Sequence, residues 1–243
     1  MDKSKESTDT SSTFKSTTAQ DLVLPLRILI SPLSTFKQLA TNPTAKGLLS
    51  LIAMIIVVGA ATLYASAAKI VLTIDAQTVD FIATSNFSNW FLGTLSTTAF
   101  SIALYWLTAA AGLALISRFP FKGSKAISLR VSFVVFGYLL SVFIVLYAVR
   151  AAIYLALPPI PFPSSTWPPT VQVEIDEAVR LMMQNWTPLP AFQLLTYSAL
   201  AAFVWLVLLG TIAIKVMQEV SWFKAGVMSV TGFLLTLALF GLP

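Results

Sequence analysis

The sequence contains no cysteine and no histidine. The first absence excludes disulfide frameworks, thiol nucleophiles and thiolate metal sites. The second removes the commonest general base and the commonest metal ligand. Ser-His catalytic arrangements, zinc sites and haem with a histidine ligand go with them. Charge is also scarce. Asp, Glu, Lys and Arg make up 10% of the 243 residues, against about 25% in soluble proteins. A soluble fold cannot cover its surface with so few. Nor is there a G-x-x-x-x-G-K-[ST] or a G-x-G-x-x-G, so nucleotide binding has no motif behind it. What is abundant is apolar. Hydrophobic residues reach 57% and mean hydropathy is +0.83. The composition predicts an integral membrane protein that is not an enzyme, carries no cofactor or metal and has no nucleic-acid partner.

Residues 1–20 are rich in Ser, Thr and Lys and read as a disordered cytoplasmic tail, because nothing there builds a core. The apolar run that follows is cut by Pro25 and Arg27 and lacks the features of a signal peptide. Residues 21–243 read as one membrane domain, organised by gaps between charges. Lys46 and Lys69 enclose residues 47–68. At 1.5 Å per residue that run is about 33 Å long, enough for a ~30 Å hydrocarbon core. Further spans are predicted at 89–117, 131–149, 191–214 and 225–242. No Asp, Glu, Lys or Arg falls inside them, which argues against ion-coupled transport. The expected fold is all-α, a five-span transmembrane helix bundle with short interfacial amphipathic helices.

Orientation follows from where the basic residues fall. Lys3, Lys5, Lys15, Arg27, Lys37, Lys46, Arg118, Lys122, Lys125, Arg130, Lys215 and Lys224 share one side, twelve in all. Lys69, Arg150 and Arg180 make three on the other. The N-terminus is therefore expected in the cytoplasm and the C-terminus outside or in a lumen.

Two flanking segments have helical patterns. Ser31 precedes Pro32, an N-cap followed by proline at the first helical position. Leu33, Phe36, Leu39 and Ala40 then recur on one face, so an amphipathic helix over 32–41 is expected to seat on the cytoplasmic interface. Asn42-Pro43 repeats the device and is expected to start the next helix. Opposite, residues 157–190 carry Pro158, Pro159, Pro161, Pro163, Pro168 and Pro169, a stiff extended run. A short amphipathic helix should follow, with Ile175, Ala178, Val179, Met182 and Met183 on one face and Glu174, Asp176 and Glu177 in its first turn. The stretch is too short to enclose a core of its own.

Three candidate sites follow. The loop 118–130 and its neighbours present Arg118, Phe119, Phe121, Lys122, Lys125, Arg130, Lys215 and Lys224. These suit anionic headgroups on the cytoplasmic side of the bilayer, with a cytoplasmic or membrane protein as the other partner. The second is the interfacial helix, through Pro32, Leu33, Phe36 and Leu39. The third is a polar seam along the second span, where Thr94, Thr97 or Thr98, Ser101, Tyr105 and Thr108 step by three or four. Such a seam makes helix contacts or lines a solute path.

Three stretches resemble the Yip-domain membrane proteins. Pro32-Leu-Ser-Thr-Phe36-Lys-Gln-Leu39-Ala-Thr-Asn-Pro43 is similar to the run before the first span in prokaryotic-type members. Phe136-Gly137-Tyr138 sits in the third span, where the family often has a Gly-Tyr pair. Lys224-Ala225 leads into a short last span. The resemblance implies a five-span membrane scaffold or adaptor in trafficking or membrane organisation. The alternative is a small permease, or a transporter's membrane subunit, for a neutral solute.

Overall fold

A computed structural model describes residues 18–44, 46–74, 77–118, 129–163 and 172–240. Among the described residues, four helical stretches are long and apolar enough to cross a membrane: 46–67, 86–112, 131–156 and 190–218. They lie in α3 (Lys46–Ala67), α4 (Asn86–Arg118), the pair α5 (Leu129–Gly137) and α6 (Ser141–Ala156), and α8 (Pro190–Gln218). A single 3-10 turn, Tyr138–Leu140, joins α5 to α6. This third crossing is the hub, since 72% of its apolar window is buried against 11% for α4.

α9 (Trp222–Phe240) folds back along α8 after a three-residue turn. That turn places Glu219 at φ 55°, a left-handed position that costs a non-glycine residue of order 1 kcal/mol. The two helices approach closely. A Cβ on Gly210 would come within 2.6 Å of Ser229 Oγ and 2.7 Å of Phe233 Cε2. The Ser229 hydroxyl donates to the Val207 carbonyl at 2.8 Å. A small residue facing a hydroxyl is how apolar helices gain contact where burial from water gives no drive.

The structure adds an element before the first span. α1 (Thr18–Ile30) runs through Pro25, a position expected to break it. Interior proline costs about 3 kcal/mol. Docking offsets this, because Leu24 and Ile28 are buried in the main core and α1 packs on α3. α1 thus includes Thr18, Ala19 and Gln20 of the segment read as a tail, and residues 1–17 lie outside the described residues.

The interfacial helix exists as α2 (Pro32–Thr41), with Ser31 at its cap and Pro32 at the first position. Its seating differs from expectation. Phe36 and Leu39 are fully buried and α2 packs on α8. The apolar stripe faces protein, and lipid contact is left to Leu33 at 42% exposure. Asn42 caps the end of α2, and α3 begins at Lys46, not at Pro43.

The chain is not all-α. β1 (Ile70–Ile74) pairs antiparallel with β2 (Gln77–Asp80) and parallel with β3 (Ile160–Pro163), in the order β2-β1-β3. The sheet ties the end of α3 to the end of α6. The Ile160 N–H donates to the Lys69 carbonyl at 2.7 Å. Backbone groups alternate sides along a strand, so Ile160 and Phe162 bond inward while Pro161 and Pro163 fall on the far side. Proline is tolerated at such an edge because no ladder donor is lost. Beside the sheet lies α7 (Gln172–Trp186). Together they form a second, smaller core around Phe81, Ile160, Phe162 and Trp186. The Trp186 indole donates to the Pro158 carbonyl at 3.1 Å. The segment judged too short for a core completes one with residues of β1 and the start of α4.

Candidate functional site

The sequence placed Phe136-Gly137-Tyr138 in the third span, and the structure gives each residue work. Phe136 and Tyr138 are buried. Gly137 lets two side chains close on the backbone, since a Cβ there would meet Leu48 Cδ1 at 2.7 Å and Trp106 Nε1 at 3.1 Å. The Trp106 indole donates to the Phe133 carbonyl at 3.2 Å. The helix changes to 3-10 geometry at the next residue. These are packing roles.

The seam on α4 divides. Tyr105 is buried edge-on against Phe143, with ring centroids 6.1 Å apart. Thr108 donates to Leu104 and Tyr105 carbonyls of its own helix. Thr94 is half-buried and lines none of the clefts described below. Thr97, Thr98 and Ser101 instead line a cleft of about 400 Å³ between α3, α4 and α6. It opens because α4 leans on α9 and α5 and packs only lightly on α3.

From α3 the cleft receives Thr62 and Ser66, and from α6 Tyr147, Arg150 and Tyr154. The last three stand at i, i+3 and i+7, one helical face. Arg150, expected just past the end of the third span, is followed by six more helical residues, because α6 continues to Ala156. At 1.5 Å per residue it lies about 9 Å inside the helix end. Some hydroxyls here are already committed. Thr62 bonds the Val58 and Tyr147 carbonyls, both at 2.8 Å, Ser66 bonds Leu63 and Thr97 bonds Gly93. Arg150 has neither an ion pair nor a hydrogen bond among the described residues. Among the described residues no carboxylate lines the cleft.

A second cleft, about 670 Å³, lies at the other end of the bundle between α2 and the α8–α9 turn. Leu33, Lys37, Lys215, Glu219 and Trp222 line it. The Lys215 ammonium donates to the Val220 carbonyl at 2.6 Å. Lys224 and Phe223 are exposed close by in sequence. The interfacial helix and part of the basic face thus meet at one surface. Phe119, Phe121, Lys122 and Lys125 lie outside the described residues, as do the side chains of Arg118 and Arg130. A third, mostly apolar groove of about 460 Å³ runs between α1, α6 and α8, lined by Leu29, Val145 and Trp205 among others.

On α7, Arg180 holds Glu177 in a two-pronged contact at 2.7 and 2.6 Å. That hydrogen bond, with the attraction of the guanidinium, keeps the Glu177 carboxyl below its usual range. Glu177 is thus tied to its own helix. No group of three acidic, His or Cys residues among the described residues is placed to hold a metal.

No family model, curated protein or solved structure matches this chain.

Proposed function

We propose that the chain is a non-enzymatic, multi-pass membrane scaffold or adaptor. The observation that carries this reading is the filling of the bundle. Tyr138, Leu139, Phe143, Leu209, Ile214 and Phe233, all nearly fully buried, interlock across the helices. Packed aromatic and branched side chains leave no room for a solute path through the core. The cleft between α3, α4 and α6 is the one feature that favours the permease reading. Function in a scaffold resides on its surfaces, and the surface with most to offer is the basic end where α2, Lys37, Lys215 and Trp222 meet. Anionic headgroups on the cytoplasmic side are its proposed contact, at about 1 kcal/mol per basic residue near the surface. The Yip-domain resemblance adds trafficking or membrane organisation as the setting.

Five crossings belong to the same reading. α9 is 19 residues long, or about 28 Å, and lies back along α8. With five crossings the basic-residue split puts the N-terminus in the cytoplasm and the C-terminus outside or in a lumen.

Reconstitution into liposomes tests the function. Swelling or stopped-flow light scattering with glycerol, urea and water should match protein-free liposomes, while capture from mild detergent should recover a stoichiometric partner. Solute flux above the lipid background sinks the scaffold. Topology is read separately, on single cysteines. Ser165→Cys and Leu242→Cys should react with an impermeant thiol reagent in intact cells and Gly123→Cys should not. Protection of Leu242→Cys together with Gly123→Cys means four crossings.

A further inference from the structure

The cleft between α3, α4 and α6 carries an unusual balance of hydrogen-bonding groups. Arg150 contributes five N–H donors and no acceptor. Ser101 and Thr98 have hydroxyls that make no hydrogen bond among the described residues. Tyr147 and Tyr154 flank the guanidinium on the same face of α6. Among the described residues no carboxylate lines the cleft to balance the charge. Unspent donors around an unpaired cation suit a ligand that is an anion and an acceptor.

The position narrows the ligand. Arg150 is six residues inside the end of α6, and Thr62 five residues inside the end of α3. The cleft therefore lies about 8–9 Å below the helix ends that carry the sheet; with those ends at the headgroup surface, that is the depth of lipid phosphate and glycerol groups. Thr97 and Ser101 are exposed, so it is reached from outside the bundle. A charged residue at membrane depth is costly unless it is paired or serves a ligand. A snorkelling arginine needs only a path to water. Arg150 instead stands within a hydroxyl-lined hollow, and guanidinium matches phosphate in a two-pronged geometry.

We propose that this cleft is a phosphate-binding site, holding the phosphodiester of a membrane phospholipid in the leaflet on the sheet side through Arg150, with Ser101 and Thr98 as supporting donors. The site is independent of the scaffold reading and lies at the opposite end of the bundle from Lys37 and Lys215.

The test uses the full chain in maltoside detergent, which contains no phosphate. Spin-labelled phosphatidylglycerol and a spin-labelled diacylglycerol with the same chains are titrated in, and the immobilised fraction is read by electron paramagnetic resonance. The wild type should hold phosphatidylglycerol more tightly than diacylglycerol by about tenfold, the order expected for charge-assisted hydrogen bonds to phosphate. Arg150→Gln should abolish the difference and Arg150→Lys should restore part of it. A competition arm with inorganic phosphate separates the sources. Displacement of the labelled lipid marks a site for free phosphate as well as lipid, and lack of displacement marks a lipid site. Equal retention of both lipids by the wild type, or an unchanged preference in Arg150→Gln, overturns the proposal. Should Arg150→Gln aggregate on gel filtration, Thr98→Val/Ser101→Ala decides in its place. A lowered preference supports the site and an unchanged one overturns it.

Discussion

The Tyr138 hydroxyl donates to the Thr44 carbonyl at 3.0 Å, joining the break in the third crossing to the entrance of the first. The two residues are 94 positions apart, and Tyr138 is fully buried. The bond satisfies a carbonyl in the irregular stretch between α2 and α3, which has no helix to take it up.

Tyr138→Phe keeps the ring and removes the bond. It should cost about 1 kcal/mol, a typical net hydrogen bond, while Tyr138→Ala should cost about 3–5 kcal/mol. Thermal melting in detergent gives the ranking. Hydrogen exchange in Tyr138→Phe should accelerate at residues 43–48 before anywhere else. Uniform acceleration would show that the contact does not anchor that stretch.

A buried apolar stripe on α2 makes a different prediction from a membrane-seated one. Leu39→Cys should resist a thiol reagent in detergent as well as in membranes, because protein covers it. Leu33→Cys should react once the bilayer is gone. Phe36→Ala should destabilise the whole bundle by about 3–5 kcal/mol. Rapid labelling of Leu39→Cys in detergent would put the stripe back on lipid.

Glycines at matched depth should rank by what their missing Cβ would meet. Gly210→Ala forces Ser229 off its bond to Val207 and pushes on the Phe233 ring, at about 1–3 kcal/mol. Gly137→Ala meets mainly the flexible tip of Leu48 and should cost less. Gly93 has nothing within 4 Å, so Gly93→Ala should stabilise by up to about 1 kcal/mol through helix propensity. Chemical or thermal unfolding of the three variants measures the order, and equal effects at Gly210 and Gly93 would refute the α8–α9 packing.

Two buried hydroxyls should respond in opposite senses. The Ser141 oxygen has no hydrogen-bond partner among the described residues, so Ser141→Ala removes an unsatisfied group and should stabilise by about 1 kcal/mol. Thr62 bonds across to the Tyr147 carbonyl, and Thr62→Val should destabilise by a similar amount. A loss of melting temperature in both would mean that Ser141 finds a partner in solution.

The spanning helices were legible because twenty apolar residues between charges have one physical solution. What escaped did so for identifiable reasons. Span ends follow charged residues in the sequence, so Arg150 reads as a boundary although α6 runs on to Ala156. β1, β2 and β3 are four or five residues long, and Ile-Pro-Phe-Pro reads as a proline spacer until a partner strand explains its alternation. Pro25 signalled a break because the docking surface that offsets it lies on α3. The stripe Leu33, Phe36, Leu39 gave the helix α2 correctly. Periodicity reports an apolar face but not whether lipid or protein covers it. Of the seam, Thr97, Thr98 and Ser101 reached a cleft, and only the tilt of α4 decided that Tyr105 and Thr108 would not.

Proteins held in a bilayer share one height and one orientation, so their exposed parts meet again and again in the same plane. Under such confinement a sheet edge is more hazardous than in solution, since neighbouring copies arrive already aligned for strand pairing. Pro161 and Pro163 lie on the far side of β3 and bring no N–H to that meeting. At the β3 edge the sheet can therefore pin α3 to α6 within one molecule without offering those two donors to the next, which disfavours any stack that needs both sheet edges.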